Sequence, residues 1–123
     1  MPHRVLLVED SSTMRAFVTA ALESAGGFEV TEARNGFEAL RLLPRGPYDL
    51  VITDINMPDI NGLEMIKYVR GSSQYQHTPL IIISTEGRDR DRDRGLALGA
   101  SEYLVKPFAP EALVAAVRRL LGA

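Results

Sequence analysis

Two kinds of segment alternate along the chain. Short apolar runs stand at Val5–Val8, Phe28–Ala33, Leu50–Thr53, Leu80–Ser84 and Tyr103–Val105. The first, third and fourth are almost unbroken in Val, Leu and Ile, as expected of strands buried on both faces of a parallel sheet. Between the runs, apolar positions repeat with helical period. Met14, Phe17, Val18, Ala21, Leu22 and Ala25 form one stripe down a single helix face. Leu113, Val117, Leu120 and Leu121 repeat the pattern near the far end. Asn35 followed by Glu38 predicts an N-cap with a capping-box partner, opening a helix through Leu43. A third helix is expected from Gly62 to about Arg70, and a fourth over roughly Arg88–Leu98, ended by Gly99. Pro110 opens a fifth. Gly26-Gly27 and Pro44–Pro47 supply the turns that end the first two.

The resulting order, βαβαβαβαβα with short links, predicts a doubly wound α/β fold with a five-stranded parallel sheet, one domain over residues 1–123. Composition narrows the class without changing that picture. Apolar residues make up 46% and charged residues 24%, which excludes disordered and fibrous chains. The absence of cysteine excludes disulfides, thiolate metal sites and thiol catalysis. No apolar run approaches the ~20 residues of a membrane span, and Met1-Pro2-His3-Arg4 lacks the features of a secretory signal. The expected location is the cytoplasm. The net charge of −2 provides no basic field for nucleic acid. The one dense charge run, Arg88 to Arg94 in strict Arg/Asp alternation, nearly cancels itself. It is expected to be a solvated helix face with i,i+3 and i,i+4 pairs, with a partner-docking surface as the alternative.

In open α/β sheets, ligands gather at the carboxyl ends of the strands. Those ends carry Glu9 and Asp10, then Asp54, then Ser84 and Thr85, then Lys106 followed by Pro107. Each has an ordinary role on its own. Asp10 or Ser11 would serve to start the first helix, and a Lys before Pro is a common surface residue. Together they place three carboxylates, a hydroxyl and an ammonium on one edge. Close carboxylates raise one another's pKa unless a cation intervenes. A donor set without Cys or His suits a hard cation that keeps waters and a phosphate oxygen, which favours Mg²⁺ over Zn²⁺ or Ca²⁺. A carboxylate beside Mg²⁺ and a Lys is a nucleophile towards phosphorus, giving an aspartyl phosphate. His3, at a terminus, and His77, in a loop, stand outside the group and are expected to be exposed and structurally silent.

The stretches VLLVEDSSTMR, NGFEAL, DLVITDINMPDINGLEMI, PLIIIST and GASEYLVKPF resemble the response-regulator receiver family, its small chemotaxis-type members above all. The resemblance runs from end to end, with 30 residues from Asp54 to Ser84 and 22 from Ser84 to Lys106. It implies a flavodoxin-like strand order 2-1-3-4-5 with five helices. It implies Asp54 as phosphoacceptor and metal ligand, with Asp10 binding Mg²⁺ directly, Glu9 through water and Asn56 through its backbone carbonyl. Lys106 would contact the phosphoryl group, and the Lys106–Pro107 peptide would be cis. Ser84 and Tyr103 match the family's switch pair, although Tyr103 alone is an ordinary strand aromatic. Asn56 and Glu86 match positions that flank the hydrolytic water and imply a phosphoryl lifetime of seconds to minutes. Met57-Pro58 and Gly62 match the loop after the acceptor. Glu9 and Asn61 stand where the family commonly has Asp. Thr85 stands where it has Ala or Gly, and is expected to narrow the entrance and slow phosphorylation.

The function these residues imply is a signalling switch. A sensor histidine kinase or phosphotransfer protein would donate the group, and a protein partner of unknown identity would bind the face of helix four, strand five and helix five. The domain alone would bind neither nucleic acid nor membrane, would be a monomer or weak dimer, and would catalyse only its own phosphorylation and dephosphorylation. A Mg²⁺-dependent phosphatase of the haloacid-dehalogenase class also uses an aspartyl nucleophile. It needs a second Asp two residues on, where this chain has Asn56, and it places its nucleophile after the first strand. A pseudo-receiver usually lacks an acidic residue, the acceptor or the Lys, and all are present here. A flavin-binding flavodoxin would carry a Ser/Thr-rich phosphate loop after strand one.

Overall fold

The computed structural model describes residues 2–57, 59–85 and 89–122, with backbone alone at 89–91. Five parallel strands form one sheet: β1 (His3–Val8), β2 (Phe28–Ala33), β3 (Leu50–Asp54), β4 (Leu80–Ser84) and β5 (Glu102–Val105). Their order is β2-β1-β3-β4-β5. The helices between and after them are α1 (Ser12–Ala25), α2 (Gly36–Leu42), α3 (Gly62–Gly71), α4 (Asp89–Leu98) and α5 (Pro110–Leu121). No helix among the described residues is long and apolar enough to cross a membrane.

Alternation along each strand divides the core into two layers. Val5, Leu7, Leu50, Ile52, Ile81 and Ile83 meet Val18 and Leu22 of α1 and Leu113 and Val117 of α5. Leu6, Val8, Val51, Leu80 and Ile82 meet Ala39 of α2 and Met65, Ile66 and Val69 of α3. β3 and β4 are buried along their whole length, which is why their sequences are apolar at both parities. The flanking strands β2 and β5 are only partly covered, and their sequences are mixed accordingly.

Side-chain caps fix the helix starts. Ser11, Asn35 and Asn61 accept hydrogen bonds from the amides of Met14, Glu38 and Glu64 at 3.2, 2.8 and 3.0 Å. The expected capping box at α2 is displaced by one residue. Glu38 returns its carboxylate to the Arg34 amide at 3.1 Å and to the Arg34 guanidinium, which lies in reach of the same side chain. α2 also stops at Leu42, not Leu43. Pro44 has no amide hydrogen to continue the ladder, and residues Leu43–Arg45 tighten into a 3₁₀ turn.

Two further expectations change. β1 starts at His3, ahead of the apolar run, because the His3 amide donates to Gly27 at 2.9 Å and His3 pairs with Phe28. The His3 ring lies 6.1 Å from the Phe28 ring, so His3 is a partly buried strand residue and not a silent terminus. His77 is exposed, as expected. α4 starts at Asp89, and Arg88 lies outside the described residues. Arg92, Asp93 and Arg94 are exposed, which fits a solvated face. The opposite side of α4 presses its backbone on the sheet: a Cβ at Gly95 would lie 2.5 Å from Ile82 Cδ1.

Candidate functional site

Parallel strands deliver their carboxyl ends to one edge, and the ladder sets what stands there. β1 ends at Val8, so Glu9 and Asp10 emerge next; β3 ends on Asp54, β4 on Ser84, and Lys106 follows β5. The Glu9 amide donates to Ala33 at 3.0 Å and the Lys106 amide to Ser84 at 2.7 Å, while Asp54 registers with Ile83. These residues are therefore held by sheet backbone. One carboxylate oxygen each from Glu9, Asp10 and Asp54 lies within 4.8 Å of the others.

Burial makes the cluster electrostatically costly. Glu9 and Ser84 are 0% exposed and Asp54 5%, while Asp10 is open to solvent. Lys106 Nζ donates to Glu9 Oε1 at 2.6 Å and lies 3.5 Å from Asp54 Oδ2. Burial pushes the Glu9 carboxyl above its ordinary value of 4.5. The Lys106 ammonium and the Ser11 amide, which donates to Glu9 Oε2 at 3.0 Å, pull it down without prevailing, and the Asp54 charge adds to the rise. Among the described residues, one ammonium thus serves a cluster of three acids. An all-oxygen donor set with this excess of negative charge fits a hard divalent cation.

The other residues named from sequence fall around this cluster. The exposed Asn56 donates its backbone N–H to Asp54 Oδ1 at 3.3 Å. Tyr103 pairs with Ile82, and Ile82 shares a sheet face with Ser84, so Ser84 and Tyr103 stand on the same face. The Lys106–Pro107 peptide is cis. Thr85 is exposed immediately beyond Ser84. Met57 is buried. Glu86 and Pro58 lie outside the described residues. Gly62 opens α3 hard against the end of β3. A Cβ there would lie 2.6 Å from the Asp54 carbonyl oxygen and 2.7 Å from Ile55 Cα, so glycine permits close approach of α3 to the end of β3.

Two supporting residues escaped the sequence reading. Arg15 donates through Nη1 to the carbonyls of Glu9 (2.9 Å) and Asp10 (3.1 Å), while its Nε lies 3.2 Å from Glu32 Oε1. Asp59 accepts bonds from the amides of Gly36 and Phe37. The only signal for Arg15 is its place one turn into α1, and for Asp59 there is none, since its partners lie on a different element.

Comparison with known proteins agrees with this geometry. The family model for the response regulator receiver domain matches residues 5–118. The chain is 40% identical over 120 residues to the chemotaxis protein CheY homolog of Campylobacter jejuni, covering 97% of this chain and 92% of that one. The solved structure of Vibrio cholerae chemotaxis protein CheY4 superposes with a TM-score of 0.93 at 40% identity, covering 98% of this chain and all of the other. The receiver domain of a sensor histidine kinase from Pseudomonas aeruginosa superposes with a TM-score of 0.90 at 28% identity, each chain covered completely. That structure has a magnesium ion coordinated in its active site cleft. The chain belongs to the response regulator receiver domain family.

Proposed function

We propose that Asp54 accepts a phosphoryl group from a phosphohistidine on a sensor histidine kinase or phosphotransfer protein, and that the modification switches binding to a protein partner. The observation that carries this reading is the nearly buried Asp54 carboxylate, grouped with Glu9 and Asp10 and 3.5 Å from the Lys106 ammonium. An Asp54 oxygen attacks phosphorus in line. The O–P bond forms as the P–N bond of phosphohistidine breaks, and its electron pair stays on the imidazole nitrogen. Lys106 holds one phosphoryl oxygen and the Ser84 hydroxyl another. Glu9, Asp10, Asp54 and the Asn56 carbonyl would hold Mg²⁺, which when bound supplies neutralisation of the charge on the transferring oxygens.

Water attacking the same phosphorus returns Asp54 to its free form, with Asn56 and Glu86 tuning that approach. The chain thus turns over only its own phosphoryl group. Ser84 turning towards the phosphoryl group leaves space on the face it shares with Tyr103, and the ring follows. Driving such a switch from 1:99 to 99:1 takes about 5.5 kcal/mol of differential stabilisation, and a smaller shift still signals. The output face of α4, β5 and α5 exposes Leu96 and Val105. The donor lands beside Lys106 on an apolar groove of about 180 Å³ lined by Met14, Phe17, Pro107 and Phe108. We place the exchange in the cytoplasm, on a monomer or weak dimer.

Phosphoramidate offers the same P–N bond in a small molecule. Incubation with it should give a Mg²⁺-dependent phosphoprotein that hydroxylamine cleaves, as it cleaves acyl phosphates. A hydroxylamine-resistant product, or none, overturns the reading.

A further inference from the structure

The loop between β3 and α3 is fastened at a point remote from its own ends. The Asp59 carboxylate accepts two bonds from the start of α2, Gly36 N–H to Oδ1 at 3.3 Å and Phe37 N–H to Oδ2 at 3.1 Å. These amides belong to the first turn, whose donors a helix cannot satisfy internally, and the helix dipole favours a carboxylate there. Burial raises the Asp59 carboxyl, yet the backbone amides together outweigh it and hold it below the ordinary carboxylate value. The bonds are therefore charge-assisted at neutral pH.

The neighbouring residue adds a steric contact. A Cβ at Gly36 would lie 2.6 Å from Ile60 Cβ, so the loop seats directly on the α2 backbone. Upstream, the Ile55 amide donates to Ile83 at 3.3 Å, and the Ile55 carbonyl accepts from Gly62 at 3.0 Å. Asn56 stands between these anchors, with its amide on Asp54.

We propose that Asp59 is a positioning residue for the cation site: its latch on α2 holds the loop in the course that presents the Asn56 peptide beside Asp54, and so sets divalent-cation affinity. This rests on the reading of Glu9, Asp10, Asp54 and Asn56 as the ligands. Asp59 acts through the loop, and sequence gives no hint of it because the bonds span 22 and 23 residues.

Mg²⁺ titration by calorimetry on the full chain tests the latch, with wild type, Asp59→Asn, Asp59→Ala and Gly36→Ala compared. The urea midpoint of each in chelator confirms folding, and a purely structural loss does not move a dissociation constant measured far below that midpoint. Asp59→Ala should weaken Mg²⁺ by about tenfold, the lower end for residues that support metal ligands. Asp59→Asn keeps one acceptor and should fall between it and wild type. Gly36→Ala changes no charge and should also weaken binding, because its methyl wedges against Ile60. An Asp59→Ala constant within about twofold of wild type overturns the latch. So does equal weakening by both Asp59 variants with Gly36→Ala unchanged, which would assign the effect to charge alone. Wild type that binds no Mg²⁺ overturns the ligand reading itself, and the latch with it.

Discussion

Replacing Lys106 by Met keeps most of the stem and removes the ammonium that pairs with Glu9 and Asp54. Glu9 is fully buried, and its carboxylate loses a 2.6 Å partner. Breaking a buried pair from one side typically costs about 3–5 kcal/mol. The chain has an escape, since Glu9 can take up a proton instead. At about pH 7.5 that costs about 1.36 kcal/mol for each unit above the ordinary value of 4.5, or about 4 kcal/mol, which caps the loss. A deficit of about 3 kcal/mol follows. With about 2.1 cal/mol/K of unfolding entropy per residue over 123 residues, it lowers Tm by about 12 °C.

The pH dependence carries the sharper test. The folded pKa of Glu9 lies above its unfolded value, so the folded state binds more protons between the two. Stability therefore falls as pH rises through that window, and the penalty is absent below 4.5. Without Lys106 the folded value climbs further and the window widens upward. At about pH 5 the escape costs only about 0.7 kcal/mol, so the deficit of Lys106→Met should shrink below about 1 kcal/mol. Urea denaturation in chelator at both pH values checks this. A deficit that stays the same at both, or one below about 1 kcal/mol at pH 7.5, refutes the argument that the ammonium compensates a buried carboxylate.

Other substitutions test the packing of the fold. Arg70 donates through Nε and Nη2 to Gly99 at 3.0 and 2.8 Å and through Nη1 to Thr78 at 2.6 Å; Arg70→Lys loses the fork and should cost about 2 kcal/mol by urea denaturation. Gly62→Ala forces a methyl on the backbone of Asp54 and Ile55 and should cost about 2–3 kcal/mol, read as a fall in Tm. Tyr75→Phe removes a 2.6 Å bond from a buried hydroxyl to the Leu43 carbonyl and should cost about 1 kcal/mol in the same assay.

What was legible in the sequence followed the physics of each element. β3 and β4 were plain because strands covered on both faces carry apolar residues at both parities, broken here only towards their carboxyl ends. Ser84 and Lys106 were found because the carboxyl ends of a parallel sheet share an edge, so reading the residue at each strand's end amounts to reading the site. Asn35 was legible as a cap because its partner, Glu38, lies three residues on. His3 was misread because pairing with Phe28 on β2 leaves no apolar signature in the strand's own residues. The displaced capping box at Glu38 reflects a competition between two adjacent amides that residue spacing does not resolve. Arg70, Arg15 and Asp59 stayed hidden for a common reason: each bonds backbone groups, and backbone donors and acceptors are the same at every residue. Only the fold decides which of them come within reach.

The central claim is that Asp54 is the phosphoacceptor and that Mg²⁺ is required. Intact mass after incubation with acetyl phosphate, with Mg²⁺ and in chelator, tests it on wild type and Asp54→Asn. The account predicts a gain of about 80 Da, one phosphoryl group, in wild type with Mg²⁺ alone. A gain in Asp54→Asn, a gain in chelator, or no gain in wild type would contradict it.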